Sequence, residues 1–288
     1  MLKLDPICWP APAKLNLFLY INGQREDGYH ELQTLFQFID LCDYLTISPN
    51  LSGEITLTPE IKDLPVNENL IYKAAMMLKN NMAEKIDKNL GANIHIEKNL
   101  PMGGGLGGGS SDAATTLLAL NYHWDLDLTK LQLAQIGLTL GADLPIFIAG
   151  KASLAEGVGE QLTTVAPIEN HYLVAMPACH ISTPVVFQNS ALIRDTKKRS
   201  LTELMSQNWL NDCEPCVKNS YPKVAKVIDW LLEYAPTRLT GTGACVFSTF
   251  STAQEAQVVL DKSPPWLTAF TCKGLNCSPM NTLLSSLE

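Results

Sequence analysis

No run of apolar residues in this sequence approaches the roughly 18 that a membrane-crossing helix requires, so no spanning segment is expected. A basic surplus is missing as well: 21 Lys and Arg stand against 29 Asp and Glu, a net charge of -8. Long nucleic acids reward clustered cations, so a nucleic-acid partner is not expected. A small phosphate ligand stays open, because backbone N–H groups alone can hold one. The first residues, MLKLDPICWPAPAK, carry Asp5 and three prolines and lack the apolar core of a signal peptide, which points to the cytoplasm. Metal-ligand spacing is also lacking. Cys213 and Cys216 form a CxxC without a second pair at suitable distance, and His95, His123, His171 and His180 do not pair. The eight cysteines therefore read as reduced thiols, several of them buried.

What is present is ample apolar mass. With 288 residues, 46% of them hydrophobic, the chain is long for one domain and comfortable for two. Nothing marks an obligate apolar interface, so a monomer is expected, with a dimer left open. Residues 13–21 (AKLNLFLYI) alternate as a strand, with Lys14, Asn16, Phe18 and Tyr20 on one face and an all-aliphatic set on the other. Asp27-Gly28 marks a turn. Further strands are expected at 32–39, 44–48, 55–57, 93–97, 171–175 and 244–250. Helices are expected at 69–78, 131–140, 224–234 and 253–260, and from Asp112, with hydroxyl residues before it as caps. Mixed elements in both halves, with a boundary near 157–164, predict two α+β domains, 1–158 and 159–288.

One segment needs a special explanation. Six of the seven residues from 103 to 109 are glycine, a costly density for a plain turn. Glycines let several N–H groups converge on one anion, and a helix directly after them adds its dipole. Phosphate binding is the natural reading. Gly103, Gly105 and Gly108 match GxGxxG, but the context is wrong for a dinucleotide fold, since residues 98–101 separate loop from strand. Gly109 is followed by Ser110 and Ser111 without the Lys of a Walker A loop. HRD and DFG triplets are missing too, which removes the protein kinases.

PMGGGLGGGSS (101–111) resembles the second signature of the GHMP kinases. PAKLNLFLYINGQREDGYHELQTLFQ (12–37) resembles the first motif of their branch that acts on a cytidylylated sugar alcohol, and LTGTGACVF (239–247) resembles the third motif. The three occur in family order. The resemblance implies a ribosomal-protein-S5-like N-terminal domain that carries ATP and a ferredoxin-like C-terminal domain that helps close over the substrate. It also implies an ATP-dependent kinase that uses Mg2+ and phosphorylates a hydroxyl group.

The site residues follow by position. The resemblance implies Asp143, in GADLP, as the proton acceptor; residue type alone would leave it a turn aspartate bonded to its own backbone. It implies Lys14 as the partner that stabilises developing charge, where type alone suggests a solvated strand-end lysine. Asn16 would position the substrate. Tyr29 would stack on the cytosine and His30 hydrogen-bond it, with Phe187 as a second stacking face, here taken as a strand residue, and Thr183 and Pro184 lining the same pocket. For ATP, the implied residues are Asn69 and Lys98 near the adenine and, in the loop, Pro101, Met102, Gly103, Gly104, Gly105, Leu106, Gly107, Gly108, Gly109, Ser110 and Ser111. Ser110, Ser111 and Asp112 are near enough in sequence to hold Mg2+, without one being singled out. Two rivals remain. A kinase for another alcohol is disfavoured by Gly28-Tyr29-His30, and a non-catalytic nucleotide binder by the presence of both Lys14 and Asp143.

Overall fold

The computed structural model describes residues 2–62, 64–84, 87–206 and 208–287. Two long strands, β1 (Ile7–Gln24) and β2 (His30–Asn50), form an antiparallel hairpin, followed by β3 (Ile55–Thr58), α1 (Leu70–Asn81) and β4 (Gly91–Glu97). Next come α2 (Gly108–His123), α3 (Lys130–Leu138), α4 (Leu144–Ala149), β5 (Ser153–Glu156), β6 (Gln161–Thr164) and β7 (His171–Met176). The remainder runs α5 (Thr183–Phe187), α6 (Leu201–Met205), α7 (Glu214–Ser220), α8 (Pro222–Leu232), β8 (Thr237–Leu239) and β9 (Val246–Phe250). It finishes with α9 (Ala253–Asp261), β10 (Thr268–Leu275) and α10 (Pro279–Leu287). The strands make one mixed sheet in the order β3-β4-β2-β10-β7-β9-β8, with β1 and the β5–β6 hairpin paired onto β2. The fold is α+β, as the alternation of patterns predicts.

Strand β1 departs from its simple alternation. Residues 13–21 are all buried, not just one face. Its register with β2 slips between Asn16 and Leu19, and such an irregularity switches which face the next side chains join. Leu15, Leu17, Phe18 and Tyr20 therefore share a core with Tyr172 and Phe247, while Leu19 and Ile21 join a different one with Leu173 and Val246. The outer edge is covered too. Leu19 N–H donates to Leu210 O and its carbonyl accepts from Asp212 N–H, at 3.0 and 2.9 Å. The cluster around Leu15 includes Leu100, three residues before the glycine-rich segment, and Leu106, in its middle, which tie that segment to the core. Burying each such leucine contributes roughly 1.5–3 kcal/mol.

Two helical expectations are corrected. The helix after the glycines starts at Gly108, four residues before Asp112, so Ser110 and Ser111 lie inside its first turn and do not precede it as caps. Its N-cap is Gly107, at φ 76°, with no side-chain cap bond. The serines cannot cap because the loop is already wound tight by left-handed glycines. Phe187 lies in the short helix α5, not in a strand. Pro184 suits a first helical turn and cannot donate to a sheet ladder. Elsewhere the caps explain the helix starts. Asn69 caps α1 by accepting from Ile71 N–H at 2.9 Å, and Thr129 with Gln132 forms a capping box on α3.

Candidate active site

Strand β1 delivers Lys14 to the junction between the glycine loop and the start of α4. The residue is 3% exposed; its ammonium donates to Asn16 Oδ1 at 2.6 Å and Gly105 O at 3.0 Å and forms an ion pair with Asp143 Oδ2 at 3.3 Å. The backbone N–H of the same residue donates to Leu106 O at 3.0 Å. One β1 residue thus grips the loop twice and points its charge at Asp143.

Asp143 is the N-cap residue of α4, with Pro145 at the helix start, but its carboxylate makes no cap bond. It turns to Lys14, and 38% of its side chain is exposed. A turn aspartate spent on its own backbone would not be available for chemistry; this one is. Asn16 is fixed from both ends. Its Nδ2 donates to Thr34 Oγ1 at 2.8 Å, and its backbone N–H donates to Thr240 Oγ1 at 3.0 Å.

The glycine loop needs glycine for steric reasons at two positions in particular. Gly105 has φ 77°, and a Cβ there would sit 2.6 Å from Thr240 O. Gly107 has φ 76°, and a Cβ there would meet the Phe147 ring at 2.7 Å. The loop also bonds to the third motif, where Cys245 N–H donates to Gly104 O at 3.0 Å. The uncapped first turn of α2 leaves N–H groups and the positive end of a 16-residue helix without a side-chain acceptor.

A cavity of about 300 Å³ opens between these parts. Of the predicted residues it gathers Lys14, Asn16, Gly105, Ser110, Asp143, Thr183 and Phe187. Thr34, Gly241 and Thr242 also line it. The Thr183 and Thr242 hydroxyls bond each other at 2.8 Å across it. Other predicted residues lie elsewhere. The Leu106 and Ser111 side chains are buried, Met102 is 71% exposed, Asn69 is occupied capping α1, and the Lys98 ammonium is paired with Asp43 and Asp112.

At the cavity's edge the His30 ring stacks on Phe187, with centroids 4.9 Å apart and planes at 22°. Tyr29 is 63% exposed on the 25–29 turn, where its N–H bonds Asp27 Oδ1 at 3.1 Å. Arg194, absent from the sequence reading, organises this corner. Its Nε donates to His30 Nε2 at 3.2 Å, and the guanidinium also donates to the carbonyls of Phe187, Asn189 and Leu192. Arginine only donates, so His30 Nε2 is an acceptor and the neutral ring carries its proton on Nδ1. Burial, then the Arg194 charge, holds the His30 pKa below its ordinary value, which keeps that tautomer at neutral pH. No motif surrounds Arg194, so only the fold could find it; Thr240, Gly241 and Thr242 were signalled by the glycines of the third motif.

Comparison with known proteins identifies the family. Residues 69–151 match the GHMP kinases N terminal domain and residues 190–263 the GHMP kinases C terminal domain. An uncapped, glycine-wound helix start facing a lysine–aspartate pair, on this mixed sheet, defines the chain as an ATP-dependent kinase of the GHMP class. A 4-diphosphocytidyl-2-C-methyl-D-erythritol kinase of Psychromonas ingrahamii is 67% identical over 288 residues, covering 100% of both chains. One from Tolumonas auensis is 52% identical, covering 98% of each. The chain belongs to the 4-diphosphocytidyl-2-C-methyl-D-erythritol kinase family. A crystal structure of 4-(cytidine 5'-diphospho)-2C-methyl-D-erythritol kinase superposes with a TM-score of 0.80 at 30% identity, over 93% of this chain and 99% of that one. A homoserine kinase from Cytophaga hutchinsonii shares the fold, with a TM-score of 0.68 at 15% identity over 95% and 96% of the two chains. Among the described residues, no helix is long and apolar enough to cross a membrane.

Proposed function

We propose that this enzyme transfers the γ-phosphoryl group of ATP to the 2-hydroxyl of 4-diphosphocytidyl-2-C-methyl-D-erythritol, giving the 2-phosphate and ADP. The step belongs to the non-mevalonate route to isoprenoid precursors, in the cytoplasm, with a monomer as the working unit. The observation that carries the reading is the uncapped Asp143 carboxylate paired with buried Lys14 in a cavity between the glycine loop and the His30–Phe187 stack.

In the reaction, the acceptor oxygen forms a bond to the γ-phosphorus as the bond from that phosphorus to the β–γ bridging oxygen breaks. Asp143 takes the hydroxyl proton. Lys14 holds the carboxylate in place and stabilises the alkoxide character of the attacking oxygen. The loop N–H groups and the α2 dipole hold the phosphates in line. His30 donates from Nδ1 to an acceptor on the cytosine edge, Phe187 offers an aromatic face, and exposed Tyr29 closes from the turn. Mg2+ would be held next to the glycine loop. Of the three residues considered for it, Ser111 and Asp112 are buried, with Asp112 Oδ2 on Lys98, whereas Ser110 lines the cavity and would offer its hydroxyl oxygen. The ion would spread the charge on the transferring group.

The assignment of the base is tested by single-turnover kinetics on Asp143→Asn. A loss of about 10²–10⁴ in the chemical step with ATP binding retained is expected. A variant that turns over at the wild-type rate would reject Asp143 as base.

A further inference from the structure

The glycine loop poses a physical problem that the active site leaves unsolved. A segment with six glycines has much conformational freedom to lose, yet it must present a fixed cradle. Three charged side chains outside the cavity address this. Asp43, on β2, is fully buried. Its Oδ1 accepts from the N–H groups of Asn99 and Leu100, at 2.6 and 2.7 Å, and its Oδ2 accepts from Lys98 Nζ at 2.5 Å. Residues 98–100 are those that lead into the loop. The Lys98 ammonium then reaches Asp112 Oδ2 at 2.9 Å, in α2 just past the loop's other end. It also lies beside the helix start, since a Cβ on Gly108 would sit 3.6 Å from Lys98 Nζ.

We propose that Asp43, Lys98 and Asp112 form a clasp that joins the two ends of the glycine loop and fixes a cation at the first turn of α2, making Asp43 a positioning residue for ATP. The inference rests on the reading that this loop holds the ATP phosphates.

The chemistry of the three groups suits the task. Burial pulls the Lys98 pKa down, but Asp112 and Asp43 outweigh it and the ammonium ends above its ordinary value, so the cation persists. Asp112 is itself only 3% exposed. Its Oδ1 is buried with no partner. The clasp thus holds the Lys98 ammonium beside the start of α2, with both of its carboxylate partners buried.

The test uses the full chain with Asp43→Asn, Asp112→Asn and the double variant, measuring kcat, both KM values, equilibrium ATP affinity and Tm. Asn at 43 can still accept from the two N–H groups but no longer pairs its charge with Lys98. We expect the KM and Kd for ATP to rise about tenfold in Asp43→Asn, the typical scale for losing one charge-assisted bond. The KM for the alcohol should not move, and kcat should fall far less than the ATP terms. The double variant should lose less than the product of the two single losses, because both act through Lys98. A lower Tm and kcat with ATP affinity intact would mean a purely structural role and overturn the proposal. If Asp43→Asn fails to fold, Asp112→Asn carries the same decision, and unchanged ATP affinity there overturns it too. Gly105→Ala separates the two layers. If it leaves ATP affinity intact, the reading of the loop itself fails; if it weakens ATP while Asp43→Asn does not, only the clasp fails.

Discussion

Replacing Gly105 with alanine tests whether the loop's shape is dictated by backbone geometry. Residue 105 sits at φ 77°, which costs a non-glycine residue about 1–2 kcal/mol. The added Cβ would lie 2.6 Å from Thr240 O and 3.0 Å from Gly243 O, both backbone atoms that cannot swing away like a side chain. Overpacking of this kind typically adds about 1–3 kcal/mol. The sum, roughly 2–5 kcal/mol, is expected as a drop in Tm on the order of 10 °C together with a rise in the KM for ATP. Gly109 provides the contrast. It lies inside α2, and its Cβ would meet only Leu70 Cδ1 at 3.5 Å, an ordinary contact. Gly109→Ala should therefore leave Tm unchanged or raise it, since alanine gains about 0.5–1 kcal/mol in a helix. Thermal unfolding and ATP kinetics on the two proteins check this. Equal losses in both, or none in Gly105→Ala, would refute the reasoning.

Three further outcomes follow from the geometry. Lys14→Met should cut kcat by about 10² or more while leaving Asn16 Oδ1 and Gly105 O without their buried donor, so Tm should fall as well. Arg194→Met frees three carbonyls and the His30 ring, and should raise the KM for the cytidylylated alcohol severalfold with the KM for ATP unchanged. The His30 pKa is depressed in the fold, so its contribution is present above its ordinary value of 6.5 and is lost as pH falls through the lower folded value. A protonated ring can no longer accept from Arg194. The KM for the alcohol should therefore rise on the acid side, a rise missing from His30→Asn.

Much of the architecture was legible because local rules and tertiary packing agree there. The strands 93–97 and 171–175 and the helices near 69–78 and 253–260 appear within a few residues of their expected places. The Lys14–Asp143 pair emerged from motif position, and the cavity brings the two together. What escaped were effects that depend on distant parts of the chain. The faces of β1 could not be read from alternation, because its register slips and residues 210–212 cover its edge. The start of α2 was misplaced because φ values above zero, not serine hydroxyls, end the loop. Phe187 followed Pro184 into a helix that is too short to show a period. Arg194 and Asp43 carry no motif; each matters through partners far away in sequence, His30 for one and residues 98–100 for the other.

The most direct test of the central claim is an ADP-release assay with Mg-ATP that compares 4-diphosphocytidyl-2-C-methyl-D-erythritol with the same alcohol lacking the cytidine. The account predicts turnover of the cytidylylated alcohol and little or none of the bare one, because His30 and Phe187 would have no base to hold. Equal turnover of the two would contradict the cytosine clamp, and turnover of neither by a protein that still binds ATP would contradict the proposed substrate.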